Sequence, residues 1–131
     1  MGERFQKSFA LKDGTWTVWN RDRPWEIDTG SASKSTQTYG HQPVYLAKNL
    51  YSSAFHLVYF KNTYGFNIEV SDNSKKIKYI TTGGHIHFLV LVGDEPEKIL
   101  EQYHNYIGPA MVPPFWALGY HQSRWGYKDY R

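Results

Sequence analysis

The chain has 131 residues, of which 40% are hydrophobic and 21% charged, and this is enough for one domain with a buried core. This composition excludes collagen-like, disordered and coiled-coil proteins, and the absence of Cys excludes disulfides, thiolate metal sites and a Cys nucleophile. The 15 Lys and Arg residues nearly balance the 12 Asp and Glu residues, and no basic run is long, so nucleic acid is not a predicted partner.

Most of the chain alternates between apolar and polar residues with the period of two that is typical of strands. Aromatic and β-branched residues are frequent in these segments, and Gly, Asn, Asp and Ser separate them. The predicted strands are residues 15–19, 44–46, 55–60, 66–70, 77–80 and 86–92. Short strands about ten residues apart predict a mainly β protein with an antiparallel sandwich.

One helix is predicted, from about Glu95 to Ile107. Acidic residues and Pro96 supply its start signals, apolar residues recur at helical spacing, and Gly108-Pro109 ends it. The apolar run at residues 115–120 predicts a further, buried strand. The polar residues 31–38 are expected to form a long surface loop.

No run of eighteen apolar residues occurs, so no membrane span is predicted. Residues 1–5 lead into no apolar h-region, and a signal peptide is therefore not expected in this chain. The compartment stays unknown from the sequence.

The motif Asn20-Arg21-Asp22-Arg23 follows the strand that ends in Trp19. A carboxylate between two arginines should stay ionised, and it can accept hydrogen bonds from the hydroxyls of a polyol. The local sequence favours the alternative, a solvated turn with surface ion pairs.

His85 and His87 lie two residues apart on the predicted strand 86–92, or next to it, so their side chains should share a face. Two imidazoles on one face bind zinc only with a third ligand, and no third ligand stands at motif spacing. The sequence therefore favours ordinary strand histidines and predicts no metal or other cofactor. Gly83-Gly84 precedes a strand rather than a helix, which favours a turn over a phosphate loop.

The run from Gly119 to Tyr127 is rich in aromatic and hydrogen-bonding side chains. Such a surface suits a sugar, whose C–H face stacks on aromatic rings, or a nucleobase. The alternative is a core strand with a Tyr-rich edge. The chain has no nucleophile-elbow pattern and no motif that marks a pair of catalytic carboxylates.

Six segments in chain order resemble motifs of glycoside hydrolase family 31, the α-glucosidase and maltase group. Gly2-Glu3-Arg4-Phe5 resembles the family's G-E-R-F motif, and Trp19-Asn20-Arg21-Asp22 its W-N-R-D motif. The other four segments are residues 39–46, 83–88, 93–103 and 113–127. The last of these, with fifteen residues, is very similar to the family's entry into its catalytic barrel.

This resemblance implies a fold and a division into domains. Residues 1–93 would form part of an N-terminal antiparallel β-sandwich, galactose-mutarotase-like and incomplete. Residues 94–112 would be a connector helix and linker, and residues 113–131 the truncated start of a (β/α)8 barrel, with its first strand. The chain would then be an internal fragment of a larger enzyme.

The resemblance also implies site residues. Asp22 matches an aspartate that binds sugar hydroxyls, Arg21 stands beside it, and Trp125 matches an aromatic residue that lines the glucose pocket. The family's nucleophile and acid/base have no counterparts here, so no residue of the chain is expected to be catalytic. A retaining mechanism needs two carboxyl groups about 5 Å apart.

Two functions remain open from the sequence. The first is a fragment of a retaining α-glucosidase that lines the pocket for an α-glucoside or oligosaccharide but does not catalyse alone. The alternative is a non-catalytic interaction module that binds a protein partner. In either case residues 115–120, from Phe115 to Tyr120, are apolar on both faces. We expect residues 113–131 to pack against the missing remainder of the enzyme or a partner, or to fold back onto the sandwich.

Overall fold

The structure is a computed structural model that describes residues 4–5, 8–19, 36–37, 39–124, 126 and 128. This part of the chain is mainly β and contains one substantial helix, α1, at Pro96–Ile107, as predicted. A short 3-10 helix follows at Phe115–Leu118. The strands are β1 (Arg4–Phe5), β2 (Gly14–Val18), β3 (Thr36–Gln37), β4 (Val44–Lys48), β5 (Phe55–Phe60), β6 (Phe66–Ser71), β7 (Lys76–Thr81) and β8 (Phe88–Gly93).

The first three-stranded sheet has the order β2-β6-β7 and is antiparallel throughout. Trp16, Ile68 and Tyr79 stand opposite one another in the register and share the inner face. Residues that alternate with them face outward, and there Lys78 Nζ lies 2.9 Å from a carboxylate oxygen of Glu69. The period of two in the sequence therefore separates a buried face from a solvated one.

The second three-stranded sheet has the order β4-β5-β8 and is also antiparallel. Tyr45, Val58 and Val90 share its inner face, while Leu57 and Leu91 share the outer face. The central strand β5 is apolar on both faces because the other sheet covers one face and α1 covers the other.

Aromatic rings join the two sheets. The Phe60 ring of β5 stacks on Phe88 of β8 with centroids 4.7 Å apart, and it meets Phe66 of β6 edge-on at 5.2 Å. Tyr79 of β7 lies 4.9 Å from Phe60 and 5.1 Å from Phe88. The two sheets thus pack face to face through a cluster of rings, and the main buried cluster consists of Trp16, Val18, Phe60, Phe66, Ile68 and Val70.

Tyr79 brings a polar group into this apolar layer. Its hydroxyl is buried and has no hydrogen-bond partner within the described part of the chain. Burial raises the pKa of Tyr79, and the nearby Tyr45 hydroxyl raises it further. The ring therefore packs at the expense of an unsatisfied hydroxyl.

Helix α1 packs on the outer face of the β4-β5-β8 sheet. Ile99 is fully buried against Gly93, where a Cβ would stand 2.9 Å from the Ile99 Cγ1 atom. The Tyr103 ring meets Tyr59 edge-on at 5.7 Å. The helix ends at Gly108, whose positive φ of 92° and N–H to the His104 carbonyl oxygen (2.8 Å) close the last turn.

The β6–β7 turn lies at one end of the sandwich and has an unusual backbone. Asp72, Asn73 and Ser74 all have positive φ, between 54° and 63°. The Asp13 carboxylate accepts hydrogen bonds from the N–H groups of Asn73 (3.0 Å) and Ser74 (2.7 Å), and the Ser74 hydroxyl donates to the Leu11 carbonyl oxygen (2.8 Å). The segment before β2 therefore holds this turn in place.

Two short strands at the start of the chain were not predicted. Arg4–Phe5 pairs with Thr36–Gln37, so the expectation of a loop throughout residues 31–38 is wrong for these two residues. The Arg4 guanidinium lies 5.3 Å from the centre of the Trp16 ring and donates to the Thr17 carbonyl oxygen. Burial lowers the pKa of Arg4 to about 10.

The expected strand at residues 115–120 is also wrong. Phe115–Leu118 is a 3-10 helix in which local hydrogen bonds, such as Ala117 N–H to the Pro114 carbonyl oxygen (2.9 Å), replace a ladder. No described strand lies beside this segment, and a buried parallel strand needs neighbours on both sides. Residues 113–124 do not fold back onto the sandwich either, because nearly all of them are exposed.

The implied galactose-mutarotase-like class, the start of a (β/α)8 barrel and the domain boundaries stay predictions. None of the helices in the described ranges is both long and apolar enough to cross a membrane.

Candidate functional site

The residues that the sequence analysis assigned to a sugar site lie outside the described residues. Arg21 and Asp22 belong to the undescribed segment 20–35, and Trp125 also falls outside. The described chain does fix the point where that segment leaves the sandwich, directly after β2 at Trp19. We call this end of the sandwich the Trp19 end; it comprises residue 19 and residues 39–43, 61–65 and 82–87.

These segments meet at one end because of the strand register. Val18 of β2 pairs with Phe66 of β6, which pairs with Thr81 of β7. In the second sheet Phe60 of β5 pairs with Phe88 of β8. The connections before and after these residues therefore all lie at the same end of the two sheets, where these strands begin or end.

Trp19 packs against the backbone at Gly65. A Cβ at Gly65 would stand 3.1 Å from two carbons of the Trp19 indole, so a larger residue would displace the ring. The indole is partly exposed. Gly65 therefore fixes the position of the last described residue before the Asn20-Arg21-Asp22 motif.

Asn62 ties the Trp19 end together. It is the one polar residue among the buried side chains of the described chain. Its Nδ2 donates to the carbonyl oxygens of Gly83 (3.0 Å) and His85 (3.2 Å), and its Oδ1 accepts from the Tyr64 N–H (2.8 Å). One side chain thus joins the β5–β6 connection to the β7–β8 connection.

Position 84 requires glycine because its backbone lies against the Asn62 side chain. A Cβ there would stand 2.6 Å from Asn62 Oδ1, and the φ of +88° also disfavours a side chain. The Gly83-Gly84 pair is therefore a turn, as the sequence favoured, and not a phosphate loop.

Tyr64 supplies a second aromatic ring at this end. A Cβ at Gly83 would stand 2.8 Å from the Tyr64 ring, so the ring packs closely against the glycine turn. Tyr64 is more than half exposed, as an aromatic surface for ligand stacking must be. Trp19 and Tyr64, with the Thr82 hydroxyl nearby, offer apolar faces and hydrogen-bonding groups of the kind that sugars use.

The histidines at this end take part in packing and in backbone hydrogen bonds. Burial lowers the pKa of His41, whose ring meets Phe66 edge-on with centroids 6.3 Å apart. His85 and His87 precede β8, which begins at Phe88, so the prediction that a strand starts at residue 86 is wrong. Their carbonyl oxygens bind Asn62 and the Lys61 N–H, and this loop geometry explains the late start of the strand.

The described part of this site contains three histidines but no carboxyl group, and these histidines belong to no metal-binding cluster. The segments of the Trp19 end contain no Asp or Glu, and the described residues form no group of three or more metal-ligating side chains. Acidic residues with hydrogen-bond or ion-pair partners lie elsewhere in the described chain, for example Asp13 at the β6–β7 turn, Glu69 on the outer face and Asp94 beside Lys98.

The structural role of Asn62 was not predicted from the sequence. One signal was available, since Asn directly after an apolar strand often accepts the N–H two residues on. The bonds to Gly83 and His85 span more than twenty residues, and no local pattern reveals them.

Comparison with known proteins relates the chain to several glycosidases. No protein-family profile matches the chain. It is 38% identical over 129 residues to the lysosomal acid alpha-glucosidase of Tetrahymena pyriformis, a match that covers 98% of this chain and 14% of the relative. It is 35% identical to the lysosomal alpha-glucosidase of Mus musculus over 113 residues, 86% of this chain and 11% of the relative.

A third relative is the intestinal sucrase-isomaltase of Homo sapiens, 30% identical over 131 residues, with 98% of this chain and 7% of the relative covered. Two of these three homologues are named as alpha-glucosidases and the third as a sucrase-isomaltase. The chain belongs to glycoside hydrolase family 31. It spans between about a fourteenth and a seventh of the length of these three relatives.

Proposed function

We propose that the chain is part of an α-glucosidase that hydrolyses terminal α-linked glucose, and that it lines the sugar pocket without catalysing alone. The observation that carries this proposal is the 38% identity over 98% of the chain to an enzyme named as an alpha-glucosidase. The Trp19 end supports it, since the Asn20-Arg21-Asp22 motif leaves the sandwich beside two partly exposed aromatic rings.

Each predicted site residue has a role in this proposal. The Asp22 carboxylate accepts hydrogen bonds from sugar hydroxyls, Arg21 keeps that carboxylate ionised, and the Trp125 indole stacks on a sugar face. Asn62, Gly65 and Gly84 hold the end of the sandwich at which β2 leads into the segment that contains Asp22. The two carboxyl groups that cleave the bond come from polypeptide outside these 131 residues.

The test uses the complete parent enzyme and a chromogenic α-glucoside. Because a hydrogen bond to a charged group contributes about 1.5–3 kcal/mol, Asp22→Asn should lower kcat/KM roughly 10- to 100-fold. Asp94→Asn is the matched control, since that exposed carboxylate pairs with Lys98 on the surface and should leave kcat/KM unchanged. Equal activity of the two variants would contradict the role of Asp22.

The 131-residue chain alone should release only background chromophore. Turnover that follows the purified chain through chromatography would contradict the proposal that catalysis needs other polypeptide.

A second candidate function is a non-catalytic interaction module, and the exposed apolar residues 115–120 favour it. Phe115, Trp116, Leu118 and Tyr120 present a surface that proteins usually cover. Purification of the native protein in a fixed complex with a separate protein, without α-glucosidase activity, would support this function over the first. Recovery as one long, active polypeptide would exclude it.

A further inference from the structure

The outer face of the β2-β6-β7 sheet, which points away from the ring cluster, is polar and partly exposed. Among the described elements, α1 packs on β5 and β8 of the other sheet and has no comparable contact with this one. The register places two rows of outward side chains across the three strands. The first row is Thr15, Glu69 and Lys78, and the second row is Thr17, Asn67 and Ile80.

The Trp19 indole adds a flat aromatic surface beside the second row. A Cβ on Gly65 would point outward and stand 3.1 Å from both Cδ2 and Cε2 of the indole. These two carbons share the central bond of the bicyclic ring, so a point that is nearest to both lies above the ring plane. One face of the indole therefore covers Gly65, and the opposite face contributes to the 44% of Trp19 that is exposed.

Uncommitted hydrogen-bonding groups stand next to this indole. Thr17 lies two residues before Trp19 on the same side of β2, and it pairs with Asn67 in the register. Within the described residues, no hydrogen bond engages the Thr17 hydroxyl or the Asn67 amide. Both groups can therefore bind a ligand without breaking an existing bond of the described chain.

The chemistry of this face fits a sugar better than other ligands. The C–H face of a sugar stacks on an indole while its hydroxyls bind a neighbouring hydroxyl and amide. The core of a protein interface would be more apolar, and only Trp19 and Ile80 are apolar here. Nucleic acid would need unpaired positive charge, whereas Lys78 lies 2.9 Å from the Glu69 carboxylate.

We propose that the outer face of the β2-β6-β7 sheet binds a stretch of an α-linked glucose polysaccharide, in addition to the sugar contacts proposed for Asp22 and Trp125. The identity of the sugar rests on the proposed function, because two homologues are named as alpha-glucosidases. Trp19 stacks on one sugar unit, and Thr17 and Asn67 accept and donate hydrogen bonds to the next.

The spacing of the sheet allows both contacts at once. Residues two apart along a strand are separated by about 7 Å, and neighbouring strands by about 4.8 Å. The indole and the Thr17–Asn67 pair thus form one continuous surface, on which linked sugar units can lie side by side. Each contact is weak alone, and a polysaccharide adds them because its units are joined.

The test measures binding of soluble amylose to the complete parent enzyme by affinity gel electrophoresis. Asn67→Ala should weaken this binding about 3- to 10-fold, because it removes a hydrogen-bonding group from the face. In the same preparation kcat/KM for the chromogenic α-glucoside should stay within about 2-fold, since that substrate is too short to reach the face. Asn105→Ala, the same change on the exposed side of α1, is the matched control and should alter neither quantity.

Trp19→Ala gives a second measurement on the stacking contact. It should weaken amylose binding about 10-fold, and Trp19→Phe should recover part of the loss because a ring remains. Tyr51→Ala is the control for aromatic truncation, since Tyr51 is exposed in the β4–β5 connection at the other end of the sandwich. If Trp19→Ala does not fold, Asn67→Ala decides by itself.

Amylose binding that is unchanged in Asn67→Ala or in folded Trp19→Ala would overturn the proposal. An equal fall in amylose binding and in kcat/KM for the small glucoside in Asn67→Ala would also overturn it, since Asn67 would then affect the enzyme as a whole. A parent enzyme that is active on the small glucoside with unchanged amylose binding contradicts this inference only. A parent protein without activity that loses amylose binding in Asn67→Ala contradicts the proposed function only.

Discussion

Residues 55–60 and residues 115–120 are both short, aromatic-rich and mostly apolar, but their surroundings are opposite. The first segment, Phe-His-Leu-Val-Tyr-Phe, is the central strand β5, and its Phe60 is 1% exposed. The second, Phe-Trp-Ala-Leu-Gly-Tyr, is a short 3-10 helix and tail, and its Phe115 is 91% exposed. The difference shows that an apolar run becomes a strand only where neighbouring strands supply hydrogen bonds and cover its faces.

The largest expected difference between the two segments is the loss of unfolding free energy when a Phe side chain is truncated to Ala. Phe60→Ala should lower the free energy of unfolding of the 131-residue chain by about 3–5 kcal/mol, since it leaves a cavity among Phe66, Tyr79 and Phe88. Phe115→Ala should change it by less than about 0.5 kcal/mol. Urea denaturation followed by circular dichroism measures both. Similar losses in the two variants would mean that Phe115 is covered in solution.

A glycine of the sandwich and a glycine of residues 115–120 provide the next comparison. Gly84→Ala places a Cβ 2.6 Å from Asn62 Oδ1 at a φ of +88°, and it should cost about 1–3 kcal/mol of unfolding free energy. Gly119→Ala, at a φ of −88° with its nearest contact at 3.4 Å, should cost less than about 0.5 kcal/mol. Thermal unfolding distinguishes them, and a neutral Gly84→Ala would show that Asn62 does not hold the turn.

Tyr79 and Tyr120 should respond differently to the loss of a hydroxyl. Tyr79→Phe removes a buried hydroxyl that has no described partner, and it should leave stability unchanged or raise it by up to about 1 kcal/mol. Tyr120→Phe removes a hydroxyl that donates to Gln122 Oε1 at 2.5 Å on the surface, and little change is expected. A clear loss in Tyr79→Phe would reveal a partner for the buried hydroxyl.

The raised pKa of Tyr79 also predicts how stability changes at alkaline pH. Burial raises the pKa of Tyr79 above the ordinary 10.0, so the unfolded chain loses this proton first as the pH rises. The contribution of the protonated Tyr79 side chain to the free energy of unfolding is complete below pH 10 and declines above it. Tyr79→Phe should therefore show a smaller alkaline loss of unfolding free energy than the wild type between pH 9 and pH 11, and parallel profiles would contradict this.

The smallest expected effect concerns His41. Burial lowers its pKa below the ordinary 6.5, so the unfolded chain binds the proton first as the pH falls. The contribution of the neutral His41 side chain to the free energy of unfolding is complete above pH 6.5 and declines below it. His41→Gln should reduce the fall in melting temperature between pH 7.5 and pH 5.5, and the difference between the two profiles isolates this imidazole. An unchanged fall would contradict the prediction.

The sequence predicted the elements whose local pattern agrees with their surroundings. Strands β2 and β4 to β7 have their predicted centres, and α1 begins within a residue or two of Glu95, because periodicity and the Pro and Gly signals coincide there. The two-residue strands β1 and β3 were missed because their pairing joins residues about thirty apart, and no periodicity marks so short a ladder.

The candidate site was predictable only through the family resemblance. That resemblance is confirmed, while the roles of Arg21, Asp22 and Trp125 stay predictions outside the described residues. Asn62 could not be assigned from the sequence, since its function depends on carbonyl oxygens of Gly83 and His85 that only the folded chain brings within reach.

The β6–β7 turn has a consequence for the isolated β6–β7 hairpin. Each of Asp72, Asn73 and Ser74 adopts the left-handed region at a cost of about 1–2 kcal/mol, and the carboxylate that compensates belongs to Asp13, sixty residues earlier. Within the turn, the Lys75 N–H donates to the Asp72 carbonyl oxygen at 3.2 Å, but the Asn73 and Ser74 N–H groups depend on the distant Asp13. We therefore expect the β6–β7 turn to be less stable in an isolated hairpin peptide than in the sandwich, where this long-range contact supports it.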